Sequence, residues 1–317
     1  MPDPAFPSDI GDRKRPPVAL IAGPTASGKS AVALRLAKAH GGVIINADAS
    51  QVYADLAVLT ARPSPDEAAQ APHRLFGHVD GAQACSAAFW ASEARTEIGR
   101  AHAQGRLPIL VGGTGLYLDT LLHGIAPIPD IDPATRAAVR ALPVADAHIA
   151  LTHEDPIAAA RLNPGDTTRV ARALEVVRST GQPLHHWQAR RTGGIAGRMP
   201  IHAVVVMLPR KELAQRAGRR LEQMLAGGAI AEVEALLARN LPADRPVLRA
   251  LGVREIGDML AGRLSLVEAQ AAILAATTAY QKRQITWGRN RQRAWTKLAP
   301  DPIATLDDLP LLPGSGA

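Results

Sequence analysis

Cysteine is nearly missing from this chain: Cys85 is the single one in 317 residues. No intrachain disulfide can form, and the fold must be held by packing, as in a reducing compartment. Aromatic residues are scarce as well, with three Phe, three Tyr and four Trp, so aliphatic side chains must build the core. No apolar run approaches the roughly 20 residues that span a bilayer, and no membrane partner is expected. His185 and His186 are adjacent, which is not metal-ligand spacing, and no zinc site is expected. The opening stretch MPDPAFPSDIGDRKRPP is Pro-rich and lacks the apolar centre of a signal peptide. It predicts a disordered tail over residues 1–15 and a cytoplasmic protein. Finally, acid is missing from one long segment: residues 271–300 hold no Asp or Glu.

What is present points to an anionic partner. The formal charge is +7 and the sequence pI about 10.0, a weak pointer on its own, since basic proteins often bind no nucleic acid. The acid-free segment sharpens it. Lys282, Arg283, Arg289, Arg291 and Arg293 cluster there around Trp287 and Trp295, a composition suited to an RNA backbone, while the two tryptophans read as core. Apolar residues make up 47% of the chain, enough for a sizeable core in one large domain with an insertion, or in two domains.

Short apolar runs alternate with helical patterns along the first 124 residues. PVALIAG (17–23), VIINAD (43–48) and LPILVGG (107–113) read as buried parallel strands. GKSAVALRLAKAH (28–40), SAAFWASEARTEIGRAHAQG (86–105) and TGLYLDTLLHG (114–124) read as helices. This alternation predicts an α/β fold: a P-loop-type parallel sheet flanked by helices. From 125 to 199 no strand-like run occurs, and two short helices are expected around NPGD, so this stretch reads as an inserted all-helical domain. IHAVVVML (201–208) returns the chain to the sheet, and the rest is mostly helical. The core is therefore expected over 16–124 and 200–300, with a tail over 301–317.

GPTASGKS, residues Gly23, Pro24, Thr25, Ala26, Ser27, Gly28, Lys29 and Ser30, fits G-x-x-x-x-G-K-[ST] between a predicted strand and a predicted helix. Backbone amides and the helix dipole there favour anionic oxygens. Gly28 permits close approach, Lys29 neutralises phosphate charge, and the Ser30 hydroxyl is placed to hold Mg²⁺. A nucleotide hydrolase also wants an acidic residue ending a second buried strand, but LPILVGGTG ends in glycines and Thr114. The acidic candidate is Asp48, at the carboxyl end of VIINAD, facing the ligand crevice of a parallel sheet. By position it reads equally as a base, a metal ligand or a helix cap.

Six motifs, in order, resemble the tRNA dimethylallyltransferases: GPTASGKS, INADASQVY, LTARPSPDEAAQAPHRL, LVGGTGLYLDTLLHGIAPIP, RVARALEV and QKRQITWGRNR. The resemblance covers about residues 17–298. It implies transfer of a dimethylallyl group from dimethylallyl diphosphate to the exocyclic amine of the adenosine beside the anticodon of tRNA. The loop then holds the leaving diphosphate, with Thr25 facing the same phosphates, Asp48 is the general base, and Thr114 orients base and nucleotide. It also implies tRNA contacts at Asp48, Ala49, Ser50 and Gln51, at Thr168, Arg169, Val170, Ala171 and Arg172, and at Arg136. Further contacts follow at Arg249 and Arg254, and at Lys282, Arg283 and Arg289. Arg216 and Arg220, four apart on a predicted helix, share a face that reaches the diphosphate or faces solvent. A monomer is expected. The chain departs from the family pattern at Ala49, where Ser is usual, and at Leu59 and Arg62 in LTARP, where Gly and Lys are usual. Two other readings fit the loop alone: a small-molecule kinase using ATP, and an RNA-binding module with a vestigial loop.

Overall fold

The computed structural model describes residues 16–301, 303 and 305–311; the expected N-terminal tail lies outside them. Two compact units emerge. The first runs through Leu122 and resumes at Ile195; the second is His123–Gly194.

The first unit is built on a six-stranded sheet, every pair of which is parallel. Its strands are β1 (Val18–Ala22), β2 (Val43–Asn46), β3 (His73–Arg74), β4 (Pro108–Gly112), β5 (Ile201–Val206) and β6 (Thr296–Leu298), in the order β3-β2-β4-β1-β5-β6. β1, β2 and β4 are buried along their whole length, as continuous apolar runs covered on both faces must be. β1 is central, in register with β4 at Leu20–Leu110 and with β5 at Leu20–Ala203. The helices that matter to the site are α1 (Lys29–His40), α3 (Ala87–Ala103) and α4 (Gly115–His123), with α10 (Arg210–Ala226), α11 (Ala229–Ala238) and α13 (Leu266–Arg291) from the C-terminal half. Between α1 and α3 lies the short α2 (Pro65–Gln70), and between α11 and α13 lies α12 (Val253–Leu260). One face of the sheet packs with Trp90, Leu118, Leu121 and Val233, the other with Val32, Leu36 and Ile303.

The second unit is all helical: α5 (Pro133–Ala141), α6 (Val144–Glu154), α7 (Pro156–Arg161), α8 (Thr167–Thr180) and α9 (Leu184–Gln188). α7 and α8 flank NPGD. Asp132, Asp155 and Asp166 cap α5, α7 and α8 by accepting a backbone N–H of the first turn. Val139, Leu151, Val170 and Leu174 form its own core.

Two expected boundaries shift. Residues 195–199, assigned by sequence to the insertion, belong to the first unit: the amides of Ile195 and Ala196 donate to Leu121 and Leu122, and Ile195 and Met199 are buried in its core. Beyond residue 300, in the stretch expected as tail, Ile303, Leu309, Pro310 and Leu311 pack or bond against the sheet. Ile303 and Leu309 are buried among α1 and sheet side chains, and Arg35 of α1 donates to the carbonyls of Ile303 (3.0 Å) and Pro300. Spaced leucines in a Pro-rich stretch carry no periodicity that announces this packing. Residues 312–317 lie outside the described residues.

Candidate active site

The phosphate loop follows β1 and runs into α1, where Gly28 is the N-cap with no side chain capping it. The first-turn amides of a helix left uncapped in this way are ready donors for an anion. Loop curvature depends on two left-handed residues, Ala26 (φ 67°) and Gly28 (φ 92°). Ala26 bears the strain of that conformation with a β-carbon, and the buried Ser27 hydroxyl has no protein partner. Strain and an orphaned polar atom together mark a loop shaped for a ligand and not for its own stability.

A slot of about 100 Å³ opens beside the loop. Thr25, Lys29 and Ser30 line one wall, Asp48, Ser50 and Gln51 another, and Arg220 of α10 with Tyr280 of α13 close it. Burial pulls the Lys29 ammonium down to about 8; the Asp48 carboxylate opposes the fall and the Arg220 guanidinium adds to it. Lys29 keeps partial solvent contact through the slot, so the strain on its charge is less than full enclosure gives. Arg220 is also held below its usual value, first by burial, against the pull of Asp48 and Glu67. Two desolvated cations and one carboxylate in one slot form a site short of negative charge.

Asp48 sits in a tightly stitched turn after β2. Its Oδ1 accepts from the Ser50 amide (3.0 Å) and the Ser50 hydroxyl (2.6 Å). Asn46, fully buried, binds the Asp48 amide and carbonyl and the Leu75 carbonyl, and the Trp90 indole donates to the Asn46 carbonyl at 2.8 Å. The Thr114 hydroxyl accepts from the Ala49 amide at 2.9 Å; this bond joins two loops across the sheet end instead of capping α4. The Ala49 contact is made by backbone, which an Ala serves as well as a Ser. Gly112 explains why the β4 end is bare of side chains: a β-carbon there would lie 2.1 Å from the Ala47 carbonyl.

A roof loop covers the slot with Leu59 and Thr60. The Gln51 amide donates to the carbonyls of Thr60 and Ala61, both at 2.8 Å. Glu232 of α11 accepts from the amides of Ala57, Val58 and Leu59 in four bonds of 2.8–3.0 Å. Arg62 lies beside the Tyr53 carbonyl at 3.4 Å.

The slot thus gathers Thr25, Lys29, Ser30, Asp48, Ser50, Gln51 and Arg220 from the residues that sequence singled out. Arg216 stands near Gly28, its Nη1 3.6 Å from where a β-carbon would be, and is paired with Glu212 at 2.8 Å. Lys282, Arg283 and Arg289 are exposed on α13, as are Arg249 and Arg254 nearby in sequence; Arg283 lies over the Tyr280 ring at 5.5 Å. Arg136, Thr168, Arg169, Ala171 and Arg172 belong to the second unit. There Val170 is fully buried in the core, so its side chain is packing and not an RNA contact. Arg172 leans on the buried Glu175 at 3.7 Å. Trp295 is core, whereas Trp287 is half-buried and packs on Gly115.

Tyr280, Gln281, Gln284 and Glu232 went unread in the sequence. Tyr280 is pushed up to about 12, chiefly by burial and then by the Asp48 charge, against hydrogen bonds with Thr114 and Gln284. Gln281 and Gln284 both fall in the QKRQITWGRNR motif, whose basic residues draw attention outward.

Two family models match the chain: IPP transferase over residues 51–291 and isopentenyl transferase over residues 16–82. A tRNA dimethylallyltransferase of Sphingopyxis alaskensis is 64% identical over 278 residues, 87% of this chain and 91% of that protein. One from Zymomonas mobilis is 53% identical over 91% of this chain and 93% of its own. The crystal structure of a full-length tRNA isopentenylpyrophosphate transferase from Bacillus halodurans superposes with a TM-score of 0.63 at 32% identity, covering 92% of this chain and 90% of that one. A eukaryotic dimethylallyltransferase crystallised acting on tRNA gives 0.74 at 25% identity, with coverages of 87% and 70%.

Proposed function

We propose, on the premise that this chain belongs to the IPP transferase family, that it moves a dimethylallyl group from dimethylallyl diphosphate onto tRNA. The acceptor is the exocyclic amine of the adenosine immediately 3′ of the anticodon, and the products are N6-dimethylallyladenosine and diphosphate. One observation carries the reading: a phosphate loop and a carboxylate share a single slot, with Lys29, Ser30 and Asp48 all on its walls.

The amine nitrogen attacks the allylic carbon, the carbon–oxygen bond breaks, and diphosphate leaves with the bonding pair. Lys29, Arg220 and the loop amides stabilise the charge that grows on the leaving oxygens. Asp48 accepts the proton that the amine gives up. Its Oδ1 is occupied by Ser50, which leaves Oδ2 for that proton. Thr114, tied to the amide next to Asp48, orients the base. Adenosine must leave its stack to enter the slot, which a single-stranded anticodon loop makes cheaper.

In loops of this pattern the Ser hydroxyl that follows the Lys binds Mg²⁺ beside substrate phosphates, and magnesium keeps several waters instead of an all-protein cage. Ser30 would hold it, and the ion would neutralise diphosphate charge. RNA contacts fall to the exposed basic residues of α13 and to Arg136, Thr168, Arg169 and Arg172 of the second unit. A tRNA substrate suits a cytoplasmic protein, and the reading takes it to act as a monomer.

The kinase reading lacks its acidic strand end: β4 runs into Gly112, Gly113 and Thr114. Mass analysis of an anticodon stem-loop incubated with protein, Mg²⁺ and dimethylallyl diphosphate tests the proposal. One added dimethylallyl group on the adenosine is expected, with diphosphate released only when RNA is present. Release of ADP from ATP with no prenylated RNA under any condition sinks it.

A further inference from the structure

Thr25 in the phosphate loop is gripped from outside the loop, at both of its backbone polar groups, by one helix. Its N–H donates to Gln284 Oε1 at 2.9 Å, and its carbonyl accepts from Gln281 Nε2 at 2.9 Å. Gln284 directs its other end to the turn after β4, where Nε2 donates to the Gly113 carbonyl at 3.1 Å. A single side-chain amide therefore spans from the phosphate loop to the turn that carries Thr114. The fit is close: a β-carbon at Gly113 would stand 2.0 Å from Gln284 Nε2. Thr114, next in sequence to Gly113, accepts from the Ala49 amide beside Asp48. Two side chains and one peptide unit therefore link the phosphate loop to the turn that carries the base.

We propose that Gln284 is a positioning residue for prenyl transfer: it fixes the distance between the loop that holds the leaving group and the turn after β4, whose Thr114 binds the amide next to Asp48. This rests on the transferase reading of the slot. In-line displacement needs nucleophile, carbon and leaving group aligned with reacting atoms near contact, and a small misplacement lowers the rate on the order of 10²-fold. The two segments that Gln284 joins follow different strands, β1 and β4, and can separate without breaking the sheet. An amide suits the task because it offers an acceptor on one side and a donor on the other, as the Thr25 N–H and the Gly113 carbonyl demand. The neighbouring Lys282 and Arg283 are exposed to solvent, so α13 presents cations to one side and amides to the other.

Gln284→Glu separates the two bonds. It keeps length and an oxygen for the Thr25 N–H, but sets a second oxygen against the Gly113 carbonyl with no hydrogen to give. At saturating RNA and donor, kcat near neutral pH is expected to fall on the order of 10²-fold, with the Kd for the stem-loop and the KM for RNA unchanged. Lowering the pH protonates the introduced carboxylate and returns a donor, so the ratio of variant to wild-type kcat climbs as pH falls. Gln284→Met, uncharged and of similar size, loses rate without that climb, and serves as the folded comparison should the Gln284→Glu variant melt early. A ratio that stays flat with pH in the Gln284→Glu variant, or a raised RNA Kd with kcat kept, overturns the proposal and makes Gln284 packing or an RNA contact. Titration with inorganic diphosphate separates this failure from that of the proposed function. Wild type that binds diphosphate but forms no prenylated RNA sinks the activity, whereas weaker diphosphate binding by both variants still supports the clamp.

Discussion

Asp48 and Lys29 face each other across the slot, and each carries a prediction. Asp48→Asn keeps size and the Ser50 bonds' geometry but removes the proton acceptor. Single-turnover prenyl transfer should fall about 10²–10⁴-fold while stem-loop affinity, read by fluorescence anisotropy, is kept; near-wild-type turnover removes Asp48 as the base. Lys29 is a base whose folded value, about 8, lies below the ordinary 10.5. Between those values the unfolded chain binds the proton more tightly, so stability rises as pH climbs from about 8 to about 10.5. At neutral pH the buried charge costs about 1–3 kcal/mol after allowing for its solvent contact. Lys29→Met should therefore raise the denaturation midpoint of the free protein at pH 7 while abolishing the reaction with dimethylallyl diphosphate. Diphosphate binding should take up a proton above pH 8, visible as a buffer-dependent enthalpy in calorimetry. A midpoint lower than wild type contradicts the strain read here. The loop was legible in sequence because its eight residues are contiguous and each has a fixed task. Tyr280 and Gln284 were not, because an aromatic and an amide on a basic helix give no sign of which way they face until the strands bring Gly113 and Thr25 to them.

Glu232 works at the scale of an element. Its carboxylate collects the amides of three successive roof residues, tying α11 to a loop far earlier in the chain. Charged hydrogen bonds contribute about 1.5–3 kcal/mol, and losing one oxygen leaves two of the four bonds without an acceptor. Glu232→Gln should speed amide exchange at Val58 and Leu59 by about tenfold or more, with exchange in β1 and β4 unchanged. Equal protection at those amides in the variant means that Gln51 alone holds the roof. Periodicity located β1, β2, β4 and β5 to within a few residues, because burial on both faces writes itself as an unbroken apolar run, while α11 lay in a stretch read only as mostly helical. It was silent on β3 and β6, which have two and three residues, too few for any pattern. It also misjudged the stretch after 301, where isolated Ile303 and Leu309 fill the far side of α1.

At the scale of the whole molecule, the second unit leaves and rejoins the first at neighbouring points, since Ile195 and Ala196 donate to Leu121 and Leu122. Replacing residues 123–194 by a short Gly/Ser linker should leave a folded first unit that still binds diphosphate, while stem-loop affinity falls and its salt dependence shallows, by about 0.7 in slope for each lost phosphate contact. Unchanged RNA affinity would place every contact on the first unit. The position of β1 has a bearing on how the chain comes into being. Among the described residues the earliest strand, β1, is an inner one, and its partners on either side begin only at Pro108 and Ile201. The helices α5 to α9 pack on one another within one continuous stretch of sequence, and such local contacts form fast, while pairings across long stretches wait for the chain and carry the entropic cost of closing large loops. On the ribosome, then, the helical unit is complete while β1, made earlier, still lacks β5 on one side. The phosphate loop, hung between β1 and a helix that packs with Ile303 and Leu309 against the sheet, has its full set of neighbours only after those residues have been made.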